Sequence, residues 1–317
     1  MERFIKLFKK VHGVDVLKQY AQNHVLISST MTVLLNCTSK KSLEIVRLSV
    51  SNKIVSRLRR KYKNYITNYI QKNGSKNFES CLHSDTVWFC WLQGLDNAPA
   101  IVKKCYKSLK QNITGKTIEV ITLKNYKEFI TFPDYIQKKI DNGDISKTHF
   151  SDLLRLELLI KYGGTWIDST VYCSGKNIPQ YYLDADLFLF QNLKPGLDGQ
   201  ATRISSWFIT SRANNPILKL TRALLYEYWK NNSKLIDYFL FHDFFELAIE
   251  AYPEEWKKVI PIENGMPHVL LLRLFDVYDD ELWTAIKSEI PFHKLTYKFD
   301  INKTKLRDTY FKKIFGD

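Results

Sequence analysis

Residues 151–171 read SDLLRLELLIKYGGTWIDSTV, and the succession of residue types along that run decides the fold. Leucines at helical spacing around Asp152 and Arg155 predict a helix capped by Ser151. Gly163 and Gly164 stop it, because glycine readily takes the left-handed conformation that ends a helix. TWIDSTVYC then alternates, which predicts a strand with Trp166, Asp168, Thr170 and Tyr172 on one face. A helix handed by two glycines directly into a strand is a unit of an α/β sheet, and it carries the Asp168 carboxylate on its polar face.

The same succession continues in both directions. TVWFCW (86–91) predicts a strand, QGLDNAP a loop with Asn97 as helix cap and Pro99 in the first turn, and AIVKKCYKSLKQ (100–111) a helix. TIEVITL (117–123), DADLFLFQ (184–191) and ISSWFIT (204–210) predict further strands. The expected fold is α/β, a mostly parallel sheet with flanking helices, whose ligands sit at the carboxyl ends of the strands.

Composition bounds the rest. With 317 residues, 45% hydrophobic and 14% aromatic, the chain is long enough for one sizeable core plus an appendage. The formal net charge of +14 is unevenly placed: residues 1–80 hold 16 Lys and Arg against 4 Asp and Glu, a net of +12, leaving +2 for the remainder. In SRLRRKYKNYITNYIQK (56–72), Leu58, Tyr62, Tyr65 and Tyr69 fall at helical spacing, while Arg57, Arg59, Arg60, Lys61 and Lys63 crowd one end. Phe4, Ile5, Leu7, Phe8 and Val11 among Lys6, Lys9 and Lys10 form a second such pattern. Both patterns suit adsorption to an anionic membrane surface, at about 1 kcal/mol per basic side chain. A helix packed on the main domain with one solvated face carries the same pattern. The expected organisation is a basic helical segment over 1–73, a polar linker over 74–84 and one domain over 85–317.

Five cysteines, an odd number without CxxC spacing, suggest neither a disulfide framework nor a zinc site and fit a reducing compartment. No run approaches the roughly 20 apolar residues of a spanning helix, and MERFIKLFKKVHG is too charged for a secretory signal. The expected location is the cytoplasm, peripheral on the inner face of the cell membrane.

Several residues could carry chemistry. Asp152 and Arg155 are either a helical ion pair or, through the planar guanidinium, a phosphate or hydroxyl clamp. WLQG follows the first strand, where a nucleotide base sits in such sheets, so Trp91 and Gln93 are base-binding candidates against a core tryptophan beside a turn. Asn125 is a candidate of the same kind, and Gln191, ending a strand, is a candidate for facing the reacting atom of a bound ligand. His268 stands on a Gly/Pro loop, and His242 and Asp243 stand between aromatics as further ligand-contact candidates.

SDLLRLELLIKYGGTWIDSTV, with WFCWLQG, SLK, NGMPHVLLLRLFD and FHKLTYK elsewhere, resembles the retaining sugar transferases of the DXD type, specifically the capsular polysaccharide synthesis proteins. The family pattern has D-x-D where this chain has Asp168, Ser169 and Thr170, so the second carboxylate is absent. The resemblance implies a GT-A fold and transfer of a hexose with retention of configuration from a nucleotide sugar, UDP-galactose or UDP-glucose, to a polyprenyl-diphosphate-linked glycan. It implies Asp168 and Thr170 near the leaving diphosphate, and a late basic motif, His293, Lys294 and Lys298, over it. A single carboxylate predicts Mn²⁺ or Mg²⁺ held by Asp168 weakly, together with the donor rather than before it. The competing reading is a nucleic-acid-binding protein gripping phosphates with its basic arm. The nearly neutral main domain speaks against that and leaves nucleic acid outside the expected partners.

Overall fold

The computed structural model describes residues 31, 40–73, 84–193 and 201–316. In chain order the longer helices and the strands are α1 (Lys40–Asn73), β1 (Thr86–Cys90), α2 (Ala100–Asn112), β2 (Thr117–Ile121), α3 (Asp134–Asp141), α4 (Lys147–Tyr162), β3 (Gly164–Asp168), β4 (Val171–Cys173), β5 (Leu187–Gln191), β6 (Ile204–Ser211), α5 (Pro216–Asn231), α6 (Leu240–Ala251), β7 (Ile262–Glu263), α7 (Asp280–Glu289) and β8 (Phe292–Lys294). Six strands form one sheet in the order β2-β1-β3-β6-β5-β7. β1 runs parallel to β2 and β3, β7 runs parallel to β5, and β6 is antiparallel to both its neighbours. The mostly parallel α/β sheet expected from the sequence is therefore present, with β6 the reversed strand.

Alternation along the strands divides the apolar residues between two cores. Trp88, Trp166, Leu189 and Ile209 face one side, where α1, α4, α5 and α6 pack. Val87, Phe89, Ile167, Phe188 and Phe208 face the other, where α2, α7 and the β4–β8 ribbon pack. A strand buried on both faces must be apolar at successive positions, which is why β1 and β5 read as apolar runs.

The glycines perform as expected, for a sharper reason. Gly163 and Gly164 have φ of 71° and 92°, and a Cβ at Gly164 would lie 2.3 Å from the Thr86 carbonyl oxygen. Only glycine lets the chain turn out of α4 and start β3 against the head of β1. Asp168 is thereby delivered to the carboxyl end of β3, beside Cys90 of β1.

Four expectations need correction. Ser151 lies inside α4. The cap is Ser146, whose hydroxyl accepts from the His149 amide. Asn97 does not cap α2, which begins after Pro99. TWIDSTVYC is not one strand, because the chain turns at Ser169 and Thr170 and continues as β4, paired with β8 in a separate ribbon. Finally, α1 is no detachable appendage: Val46, Val50, Ile54, Leu58 and Tyr62 are buried in the first core, and Tyr62 meets Phe244 of α6 edge to face at 5.0 Å. Arg59 adds a two-pronged bond to Glu250 of α6, with distances of 2.8 and 2.5 Å. The stripe read as lipid-facing thus packs largely on protein. The residues 4–11 pattern and the linker proper lie outside the described residues. No helix among the described residues is long and apolar enough to cross a membrane.

Candidate active site

A cleft of about 750 Å³ opens where β3, β5 and β8 end. Asp168 closes β3, Lys294 closes β8, and Asn192 follows β5. Asp152 and Arg155 enter from α4, and one wall is the amino-terminal half of α1.

Asp168 is the meeting point. Its Oδ2 accepts from Lys294 Nζ at 2.8 Å, its Oδ1 accepts from the Trp166 indole at 3.0 Å, and Arg155 Nη2 stands 3.5 Å from Oδ1. Burial alone would raise this carboxyl. The charges of Lys294 and Arg155, with hydrogen bonds from Lys294 and Trp166, outweigh burial and hold it below the ordinary carboxylate range. Lys294 also donates to Thr170 Oγ1 at 2.8 Å. Residues 168 and 170 converge as expected, yet by a tight turn and a shared ammonium rather than by a common strand face.

Arg155 is held by a buried chain. The Trp229 indole donates to His149 Nε2 at 2.9 Å, so the proton of a neutral imidazole lies on Nδ1, 3.3 Å from Asp152 Oδ2. Asp152 Oδ1 in turn lies 3.4 Å from Arg155 Nη1, which donates to the Ser206 carbonyl at 2.7 Å. The guanidinium sits over Trp166 at 5.0 Å and against Phe241 at 5.5 Å. An arginine so fixed has lost its side-chain freedom beforehand, which suits it to meeting a ligand. His149 escaped the sequence reading. Its signal was the i, i+3 spacing to Asp152.

The remaining candidates divide. His242 lines the cleft with Nδ1 buried and without a partner among the described residues. Burial pushes its imidazole down to about 4. Half-buried His268 donates from Nδ1 to the Asn264 carbonyl oxygen at 2.8 Å, so Nδ1 carries the proton. Burial lowers its imidazole, and the nearby Lys294 charge adds to the effect. Asn264 itself receives the Trp207 indole at 2.8 Å and donates to Asn192 at 3.1 Å, a polar rail along the cleft.

Others are placed elsewhere. His293 is fully buried, bonds Ser174 at 2.9 Å and is pushed down to about 3 by burial, because alternation on β8 turns it away from Lys294's side. Asp243 is fully buried beside the cleft-facing His242, and neither of its oxygens has a partner among the described residues. Gln191 donates to the Ile260 carbonyl at 3.5 Å. Asn125 binds Thr122 at 2.8 Å and the Val120 carbonyl at 2.9 Å, so its amide ties the loop after β2. Trp91 meets Tyr297 edge to face at 5.4 Å, and Gln93 and Lys298 are exposed outside the cleft lining.

A family model described as capsular polysaccharide synthesis protein matches residues 36–314, from just before α1 to the last helix. The chain belongs to that family. A glycosyltransferase of Aspergillus fumigatus, afumC, is 34% identical over 96 residues, 27% of this chain and 25% of that protein. The chain thus spans about a quarter of the length of the curated relative it matches. Among solved structures, the PaToxG glycosyltransferase aligns with 14% identity and a TM-score of 0.38, covering 83% of this chain and 96% of that one. The family match includes α1, in keeping with a helix that lines the cleft and fills the core.

Proposed function

We propose that this member of the capsular polysaccharide synthesis family is a glycosyltransferase of GT-A type. It moves a hexose, with retention, from a UDP-sugar to a lipid-linked glycan. The observation that carries this reading is the convergence of Lys294 and Arg155 on Asp168 at the carboxyl end of β3, the place where an α/β sheet presents its ligand. The acceptor hydroxyl oxygen bonds the anomeric carbon, the bond from that carbon to the diphosphate oxygen breaks, and the hydroxyl proton leaves on the diphosphate. Negative charge grows on the diphosphate in that step. Lys294, already poised in the cleft, turns from Asp168 towards it, and Arg155 presents its fixed face.

The cluster also states what it lacks. Asp152 and Asp168 balance Arg155 and Lys294, so it is formally neutral before an anionic diphosphate arrives. Among the described residues no three His, Cys, Asp or Glu side chains form a metal cage. One carboxylate fits Mg²⁺ or Mn²⁺ when the diphosphate brings the remaining oxygens, as is usual for Mg²⁺. Asp168 would hold the ion, which would supply Lewis-acid stabilisation of the leaving group.

A thermal-shift screen with UDP, GDP, CMP and their hexose conjugates, with and without Mn²⁺, tests the reading. UDP-hexose is expected to raise the melting temperature, by about 2.7 kcal/mol of stability at 100 times its dissociation constant, and more with Mn²⁺ than without. Protection by none of the nucleotides would reject the donor assignment.

A further inference from the structure

One wall of the cleft is built of different material from the charged cluster. The segment before α6 contributes Asp237, Tyr238 and Phe239, α6 contributes His242, and α1 contributes Leu48 and Ser51. Tyr238 is 62% exposed and Phe239 42%, and their rings meet edge to face at 5.0 Å. Exposed aromatics gathered on the wall of a cleft point to a ligand face.

Beside the rings stand hydrogen-bonding groups with little positive charge. His242 offers its unpartnered Nδ1 and stays neutral at physiological pH. Asp237 accepts the Phe239 amide at 3.0 Å. Arg47, the cation at this mouth, is already paired with Glu44 at 2.8 Å. Among the described residues an anionic ligand meets no unpaired cation on this wall, whereas a ring with C–H groups on its face and hydroxyls at its edge meets aromatic surfaces and polar atoms together. The wall also lies close to the charges, since His242 and Tyr238 both feel Asp152, Arg155 and Asp168.

We propose that this wall, shared by α1 and the approach to α6, is the acceptor subsite, and that it binds a neutral pyranose ring of the acceptor glycan. The inference rests on the glycosyl-transfer reading above. It makes α1 a specificity element, because the helix supplies one side of the site.

The test uses the full chain, a nucleotide hexose that protects it from melting, and p-nitrophenyl hexosides as acceptors competing with water. The ratio of transfer to hydrolysis is the readout. Tyr238→Ala is expected to lower that ratio roughly tenfold, the scale of one aromatic contact. Ser51→Trp, which fills the cleft from α1, is expected to lower it further. An unchanged ratio in both variants overturns the subsite, whether or not their melting temperatures move. Absence of any hydrolysis or transfer by the wild type would reject glycosyl transfer itself, and the subsite with it.

Discussion

Asp168 carries one negative charge and meets two positive ones, so replacing it leaves both behind. Asp168→Asn keeps the shape but removes the charge that positions Lys294 and Arg155. Loss of one good charge-stabilising contact slows turnover about 100-fold or more. Donor hydrolysis is expected to fall by that factor, and full activity would reject the site. The same variant has a signature in pH. The folded carboxyl titrates below its unfolded value of about 4, so the unfolded chain binds more protons between the two values. Its stabilisation is complete above about pH 4 and is lost as pH falls through the lower folded value. Asp168→Asn is expected to flatten the acid-side slope of unfolding free energy against pH, and an unaltered slope would contradict the charge assignment. Asp168 and Arg155 could be singled out because a lone carboxylate after a glycine stop and an arginine on the preceding helix are residue types that phosphate chemistry needs, whereas Lys294 entered through the family resemblance. His293 was misplaced because adjacent residues on a strand face opposite ways. Gln191 and Asn125 were misplaced because an amide can serve nearby backbone as readily as a ligand, and sequence does not distinguish the two.

Helix α6 shows the same limit at the next scale. Its neighbouring residues His242 and Asp243 stand about 100° apart around the axis, so one reaches the cleft and the other the core. Burial, then the charges of Asp237 and Glu246, raises the Asp243 carboxyl well above the usual range. The folded state therefore binds more protons than the unfolded one above pH 4, and the group costs stability increasingly as pH rises. Asp243→Asn is expected to melt above the wild type near pH 7, with the gap closing towards pH 4. A gap of constant size would refute this. Helix α1 was legible as a basic amphipathic helix, but its partner was not, because a Tyr and Leu stripe looks alike whether it meets lipid or a helix some 180 residues onward. Leu58, 1% exposed, makes the point measurable. Leu58→Ala is expected to cost about 2–5 kcal/mol in urea unfolding, and a loss under 1 kcal/mol would mean that α1 is peripheral to the core.

Across the whole molecule the charge remains lopsided even though the stripe is occupied. Arg60, Lys61 and Lys63 stay exposed on α1, and we infer that they, rather than the apolar face, meet anionic lipid. Reversing all three to Glu is expected to release the protein from phosphatidylserine vesicles without lowering its melting temperature by more than a degree or two, as surface changes away from special features are worth little. Undiminished vesicle binding would remove α1 from the membrane contact. A different consequence follows from the ribbon that brings Lys294 to Asp168 across 126 residues of sequence. The ribosome releases Asp168 well before the ammonium of Lys294 that meets it. At roughly 5–20 residues per second the interval lasts on the order of 6 to 25 seconds, during which Asp168 has Arg155 but not Lys294 and the site is unfinished. A chain that stops short of residue 294 therefore keeps Arg155 but lacks the other positive charge that meets Asp168.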